Sequence, residues 1–257
     1  MKLVILAENT ALSGELSAEH GLSLYLETGP HKILFDMGQS DAFARNAEKL
    51  GVDLTQVDFA VISHGHYDHG GGLETFLKIN TKAPVYVHKL AFGSHYNAGG
   101  KWIGLDPALL THPRIIFTEG TLEVAPGILL TDCNNLGWES CSWGLQREED
   151  GVLCPDAFFH EQYLQITEGQ KRILISGCSH KGIVNIAAHF CPHVLVGGFH
   201  LNKLEDGKQL CAIAQQLKAL NSRFYTGHCT GRMQYASMKP IMADKLEEIT
   251  TGTVLQV

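Results

Sequence analysis

The chain of 257 residues carries 20 Lys+Arg against 27 Asp+Glu, a formal net charge of −7, with 44% apolar and 18% charged residues. Such a balance belongs to a globular protein rather than a disordered or fibrous one, and the length allows one large layered domain or two small ones. The acidic excess argues against nucleic-acid binding driven by counterion release, and no stretch reaches the roughly 18–20 uninterrupted apolar residues of a membrane span. The opening MKLVILAENT reads as a first strand, because Glu8 and Asn9 interrupt it too early for a secretion signal. Seven cysteines (133, 141, 154, 178, 191, 211, 229) form no CxxC pair. An odd, scattered set suits a reducing cytoplasm better than a disulfide framework.

Short apolar, β-branched runs follow at residues 22–28, 32–36, 59–63, 84–88, 127–131, 163–167, 172–176, 193–197 and 223–226, most of them ending at Gly, Asp, Ser or Thr. Their length and punctuation predict strands. Residues 41–50 predict a helix with Ser40 or Asp41 as N-cap and Gly51 as C-cap, and 183–189 and 207–220 carry further helical stripes. The alternation fits two sheets with helices outside, a four-layer αββα sandwich of the α/β class, better than a barrel. No linker or repeat divides the chain, so residues 1–257 are expected to form a single domain. Residues 132–160 look irregular, with two Trp, three Cys and the acidic run Glu148-Glu149-Asp150, and are expected to form a long loop or lid.

Fourteen histidines are more than packing needs. The densest group follows the run Phe59-Ala-Val-Ile-Ser63: His64-Gly-His66-Tyr-Asp68-His69-Gly-Gly-Gly72. In an extended loop His64 and His66 project to one side and can share a metal, while Asp68 and His69 lie further round the turn and can serve a neighbouring ion. Gly65, Gly70, Gly71 and Gly72 are expected to supply backbone freedom there. Imidazole with carboxylate is a ligand set suited to zinc, with iron or manganese as alternatives.

The pattern His64-x-His66-x-Asp68-His69 resembles the metal-binding motif of the metallo-β-lactamase-fold hydrolases. Glu19-His20-Gly21-Leu22-Ser23 and Ile33-Leu34-Phe35-Asp36-Met37-Gly38 resemble that superfamily too. Gly177-Cys178-Ser179-His180, Gly197-Gly198-Phe199-His200-Leu201 and Gly227-His228-Cys229-Thr230-Gly231 resemble one subgroup, the archaeal 7,8-dihydropterin-6-methyl-4-(β-D-ribofuranosyl)aminobenzene-5′-phosphate synthase-related proteins. The resemblance implies an αββα fold with one or two divalent metal ions at the sandwich edge. It assigns His64 and His66 to a first ion, and Asp68, His69 and His228 to a second. Two positions depart from it. The strand at 127–131 ends in Asp132-Cys133-Asn134 without the expected third first-ion histidine, and Cys178 stands where a bridging Asp is usual. Cys178 is a candidate thiolate ligand, and His180 a candidate replacement for the missing imidazole.

His200 is expected to contact a substrate anion, or else a metal. Asp36 is a candidate to orient a ligating imidazole, and His20 to sit in a structural turn nearby. Cys229 is expected to point away from His228 on an extended segment and pack. His31, His88, His95, His112, His160, His189 and His193 read as ordinary surface or hydrogen-bonded imidazoles.

The implied reaction is metal-assisted hydrolysis of an ester, lactone, thioester or phosphodiester in a small molecule, with Asp68 also accepting a proton from the attacking water. Anionic substrates are compatible with the negative chain, because metal ions dominate the local field. The alternatives are a pterin/ribofuranosylaminobenzene-phosphate synthase-like enzyme, with Trp138, Trp143, Phe158, Phe159 and Tyr163 available to stack on a flat ring, and a di-iron redox protein, for which the chain leaves no room for a flavin domain. RNA processing is disfavoured by the absence of a basic arm, and a non-catalytic binding protein stays open because the third ligand position is irregular.

Overall fold

A computed structural model describes residues 1–140 and 142–257; Cys141, one of the seven cysteines named above, lies outside the described residues. Two seven-stranded mixed sheets dominate. The first runs, in spatial order, Val254–Gln256, Lys2–Ala7, Ser23–Thr28, His31–Phe35, Phe59–Ile62, Val85–His88 and Ile115–Thr118. The second runs Leu246–Glu248, Arg223–Thr226, Val194–Val196, Lys171–Ile175, Tyr163–Glu168, Ile128–Thr131 and Thr121–Ala125. In each, one end is parallel: His31–Phe35 through Ile115–Thr118, and Lys171–Ile175 through Leu246–Glu248.

Strand alternation sorts the side chains into three layers. Leu3, Ile5, Ile33, Phe35, Ile173, Ile175, Val194 and Val196 meet between the sheets. Val4, Leu6 and Leu34 turn outward onto Phe43, Ala47 and Phe76 of helices Ala42–Lys49 and Leu73–Ile79. On the far side Leu174 and Leu195 meet Ile186, Leu210, Leu217 and Met238 of helices Ile183–Phe190, Gly207–Ala219 and Arg232–Met242. The αββα expectation holds for this reason: apolar residues on both faces of a strand require a layer on each side.

The helix at 41–50 is shorter, Ala42–Lys49, with Asp41 at the N-cap but making no side-chain cap bond; Ser40 Oγ instead accepts from Ala42 N (3.1 Å), and Leu50 rather than Gly51 is the C-cap. The segment at 132–160 is less irregular than expected. Its strands Gln146–Glu149 and Val152–Pro155 form a hairpin that joins His95–Tyr96 in a small sheet. Helix Arg232–Met242 escapes the sequence reading because Pro240 interrupts its pattern. No described helix is long and apolar enough to cross a membrane.

Candidate metal centre

The parallel strands of both sheets end at one edge, the place where open α/β sheets collect ligands. Asp36 and Ser63-His64 follow Phe35 and Ile62 of the first sheet; Cys178-Ser179-His180, His200 and His228 follow the C-terminal ends of Lys171–Ile175, Val194–Val196 and Arg223–Thr226 of the second. Four of these residues sit in the left-handed region although none is glycine: Asp36 (φ 59°), Ser179 (58°), His200 (51°) and His228 (49°). Such a conformation is costly for these residue types, and its clustering where the strands terminate marks a constrained site. The turns redirect the chain abruptly off each strand end. The glycines around the histidine motif act differently from the expectation: Gly65, Gly70, Gly71 and Gly72 avoid positive φ, and instead a Cβ on each would collide with Ala91, Leu105, Gln39 and Met37 respectively. They provide clearance rather than conformational freedom.

Two sets of buried imidazoles face one another across this edge. His69 Nε2 lies 3.2 Å from His228 Nε2 and 3.2 Å from Cys178 Sγ. His64 Nε2 lies 3.4 Å from His180 Nε2. The far nitrogens show which atoms carry protons. His69 Nδ1 donates to Asp36 Oδ2 (2.7 Å), and His228 Nδ1 donates to Asn9 Oδ1 (2.9 Å). Ser63 Oγ donates to Asp36 Oδ2 (2.7 Å) and so receives the His64 Nδ1 proton (2.8 Å). In their neutral form His69 and His228 therefore turn lone pairs toward each other, an arrangement that a cation relieves; His64 turns its Nε2 lone pair toward His180, whose Nδ1 is buried without a partner. Two nitrogens on one tetrahedral zinc at 2.0–2.1 Å would lie about 3.3–3.4 Å apart, close to the observed spacings. The donor set fits divalent metal: Cys178 shares one ligand-sized cluster with His64 and His180 and another with His69 and His228.

Electrostatics agree with that geometry. Burial opposes the charge on Asp68, but the neighbouring His69, a hydrogen bond from His20 and the close His228 ring outweigh it and hold the carboxyl well below its usual range. Burial likewise works against a proton on His69, yet Asp36 and Asp68 raise it, the same field that would attract a cation. His64, His66 and His180 are pushed well below ordinary histidine, first by burial and then by neighbouring imidazoles. They are held neutral, the ligating form.

The expected residues His64, His66, Asp68, His69, Cys178, His180 and His228 thus converge, and His66, Asp68, Cys178, His180, His200 and His228 line one cavity of about 220 Å³. Asp36 meets its expected role of orienting an imidazole. His20 is closer than expected, with Nε2 3.2 Å from Asp68 Oδ2. Cys229 sits in a one-turn helix, His228–Thr230, not on an extended segment, and its Sγ accepts from His200 N (3.3 Å). His200 also borders a second, apolar cavity of about 230 Å³ lined by Trp143, Phe199, Leu204 and Ile213. Of the aromatics considered for stacking, only Trp143 lines that cavity; Phe158 is buried and stacked on His180 (3.8 Å, 6°).

Five participants were missed. Asn9 orients His228, and Glu161 accepts from His180 N (2.8 Å). His95 and His160, read as ordinary imidazoles, instead flank Asp156 in a buried cluster beside His66. Nothing local marks Asn9 or Glu161, whose partners lie 219 and 19 residues away, and the short Asp156–His160 spacing carries no signal without His95, 61 residues off.

The family model described as "Metallo-beta-lactamase superfamily" matches residues 17–153. The chain belongs to the metallo-beta-lactamase superfamily. Among relatives, an uncharacterized protein of Methanocaldococcus jannaschii is 33% identical over 238 residues, covering 88% of this chain and 90% of that protein. The 7,8-dihydropterin-6-methyl-4-(beta-D-ribofuranosyl)-aminobenzene-5′-phosphate synthase of the same organism is 27% identical, covering 100% and 96%. The crystal structure of Tm1679, a metal-dependent hydrolase of the beta-lactamase superfamily, superimposes with a TM-score of 0.85 at 31% identity, covering 100% and 99%. These relatives support the subgroup resemblance. Within this metallo-beta-lactamase-superfamily chain, the end of Ile128–Thr131 departs as the sequence indicated. Asp132 there pairs with His88 (3.2 Å) rather than facing the cavity.

Proposed function

We propose that this protein is a metal-dependent hydrolase of small molecules that cleaves an ester, lactone, thioester or phosphodiester, with zinc as its metal. The observation that carries the reading is the lone-pair-to-lone-pair contact His69–His228 beside the close approach of His64 and His180, with Cys178 within ligand reach of both pairs. In this reading His64, His66 and His180 would hold one ion and Asp68, His69 and His228 the other, with Cys178 a candidate thiolate ligand within reach of both sets. Divalent ions there would supply Lewis acidity, acidifying water and polarising the oxygen under attack.

The remaining work falls to the chain. Asp68 stays ionised and accepts the proton of the attacking water at Oδ2, where His20 Nε2 also bonds (3.2 Å) and His228 Nε2 lies 3.3 Å away. His200, at the wall between the two cavities, contacts the substrate anion, and its ring nitrogens are buried without partners. A synthase-like reaction is the second reading, favoured by the Trp143-lined cavity next to the site and by the printed activity of one relative.

The test pairs metal analysis with a panel of esters, lactones, thioesters and phosphodiesters. His66→Ala and Asp68→Ala should lose metal and hydrolysis together, and full metal content in both would overturn the site. Retention of metal stoichiometry and affinity in His180→Ala would remove His180 from the ligand set. Absence of turnover across the panel, with pterin and aminobenzene substrates consumed, would favour the synthase.

A further inference from the structure

A second polar cluster lies against His66. Asp156, His95 and His160 are 2%, 3% and 2% exposed. Asp156 Oδ2 accepts from His95 Nδ1 (2.9 Å) and from His160 Nε2 (3.1 Å), and Oδ1 accepts from Phe158 N (2.7 Å). His160 Nδ1 accepts the Gly65 backbone N–H at 2.9 Å. These bonds assign the protons. His160 receives at Nδ1, so its own proton sits on Nε2 and goes to Asp156. His95 gives its Nδ1 proton to the same carboxylate, which leaves a bare lone pair on Nε2.

That lone pair is buried without a partner, and so is Nε2 of His66. The two rings are 5.6 Å apart between centroids and nearly perpendicular, at 77°. An orphaned buried acceptor and an orphaned buried donor each cost about 1–3 kcal/mol, and here they stand on neighbouring rings.

His66, His95, Asp156 and His160 also present donor atoms within 4.8 Å of one another, as a metal site would. The tautomer of His160 speaks against that use. A cation on its Nε2 would require an imidazolate while Nδ1 still accepts from Gly65. The cluster is better suited to orienting a neighbour.

We propose that Asp156 and His95 are positioning residues for His66: Asp156 holds His95 as the Nδ1–H tautomer, and the His95 Nε2 lone pair, unpaired in this structure, is the acceptor for the Nε2–H of His66 once an ion binds. His66 then turns its Nδ1 lone pair toward the cavity it lines. The inference rests on the proposed role of His66 as a metal ligand. It gives the covering segment a function, because Asp156 comes from that segment, just past the hairpin.

The experiment uses the full chain and Co²⁺ as the probe, with ion stoichiometry, affinity by chelator competition, the visible Co²⁺ spectrum and the apo-protein Tm as readouts. His95→Leu should weaken one of the bound ions about 10–100-fold without changing stoichiometry at saturation. His95→Gln, whose amide oxygen can take the place of Nε2 as acceptor, should restore affinity to within about 3-fold of wild type. Asp156→Asn, which preserves volume, should weaken the same ion at least about 10-fold, and serves if His95→Leu lowers the apo Tm. Equal behaviour of His95→Leu and His95→Gln, or wild-type affinity in Asp156→Asn, overturns the proposal. An ion lost outright at saturation in His95→Leu also overturns it, since His95 would then be a ligand. His66→Ala separates the two levels: if it keeps wild-type Co²⁺ affinity, the ligand role of His66 fails, whereas a weakened His66→Ala beside an unaffected Asp156→Asn defeats the positioning role alone.

Discussion

The two ends of the metal-facing cluster are braced differently. At the Asp68–His69–His228 end, the outer nitrogens of both rings are anchored, His69 to Asp36 and His228 to Asn9, and Asp68 is tied to His20. At the His64–His66–His180 end only His64 has such an anchor, through Ser63; His66 Nε2 and His180 Nδ1 are buried without partners. One end is set by carboxylate and amide partners from the first sheet before any ion arrives. The other relies on Phe158 stacking and on the covering segment. Outer hydrogen bonds fix ring orientation and ligand basicity, so the first of these ends should bind metal more tightly.

The strongest way to break this contrast is Asp36→Asn. Asp36 is fully buried and accepts from Ser63 N, Ser63 Oγ and His69 Nδ1. Placing an amide N–H₂ against those donors should cost about 3 kcal/mol in urea unfolding at pH 7. A loss below about 1 kcal/mol would deny Asp36 its place as the hub.

Asp132 sharpens the boundary of the weaker end. Burial raises its carboxyl, but hydrogen bonds from His88, Asn134 N and Gly120 N outweigh that and lower it to about 2. A depressed carboxyl stabilises the fold above its unfolded value near 3.8, and that contribution is lost as pH falls toward 2. Asp132→Asn should therefore lose about 2 kcal/mol at pH 7 and show a flatter acid limb between pH 4 and 2, with metal affinity unchanged. A change in metal affinity would place Asp132 in the site after all.

The smallest effects come from single anchors. Asn9→Ala should weaken the ion at His228 about 10-fold, and Ser63→Ala should weaken the ion at His64 by a similar factor. Chelator competition on the double variant should give the product of the two factors. If either variant shifts both ions equally, the two ends are one unit and the contrast fails.

What could be read early and what could not follow from range. His64, His66, Asp68 and His69 were legible because they occupy one short stretch after a four-residue strand, a turn leading into the one-turn helix Tyr67–Gly70, where local spacing governs who can share a metal. His180 and His228 were reached through resemblance, and Asp36 through its position after a strand. His95, Asp156 and His160 were not legible: in the covering hairpin Gln146–Glu149 is polar and the apolar Val152–Pro155 is mostly exposed, so no alternating period announces it.

The linear pattern of apolar runs already dictated a layered αββα chain with a histidine-rich strand end, because burial on both strand faces demands layers and the motif is local. The company those histidines keep depended on the folded chain. Sheet order brings Cys178 and His228 beside a loop more than a hundred residues earlier, and left-handed turns at Asp36, Ser179, His200 and His228 set where the chain leaves each strand. Neither strand pairing at that separation nor a positive φ in a non-glycine residue leaves a periodic trace in the sequence.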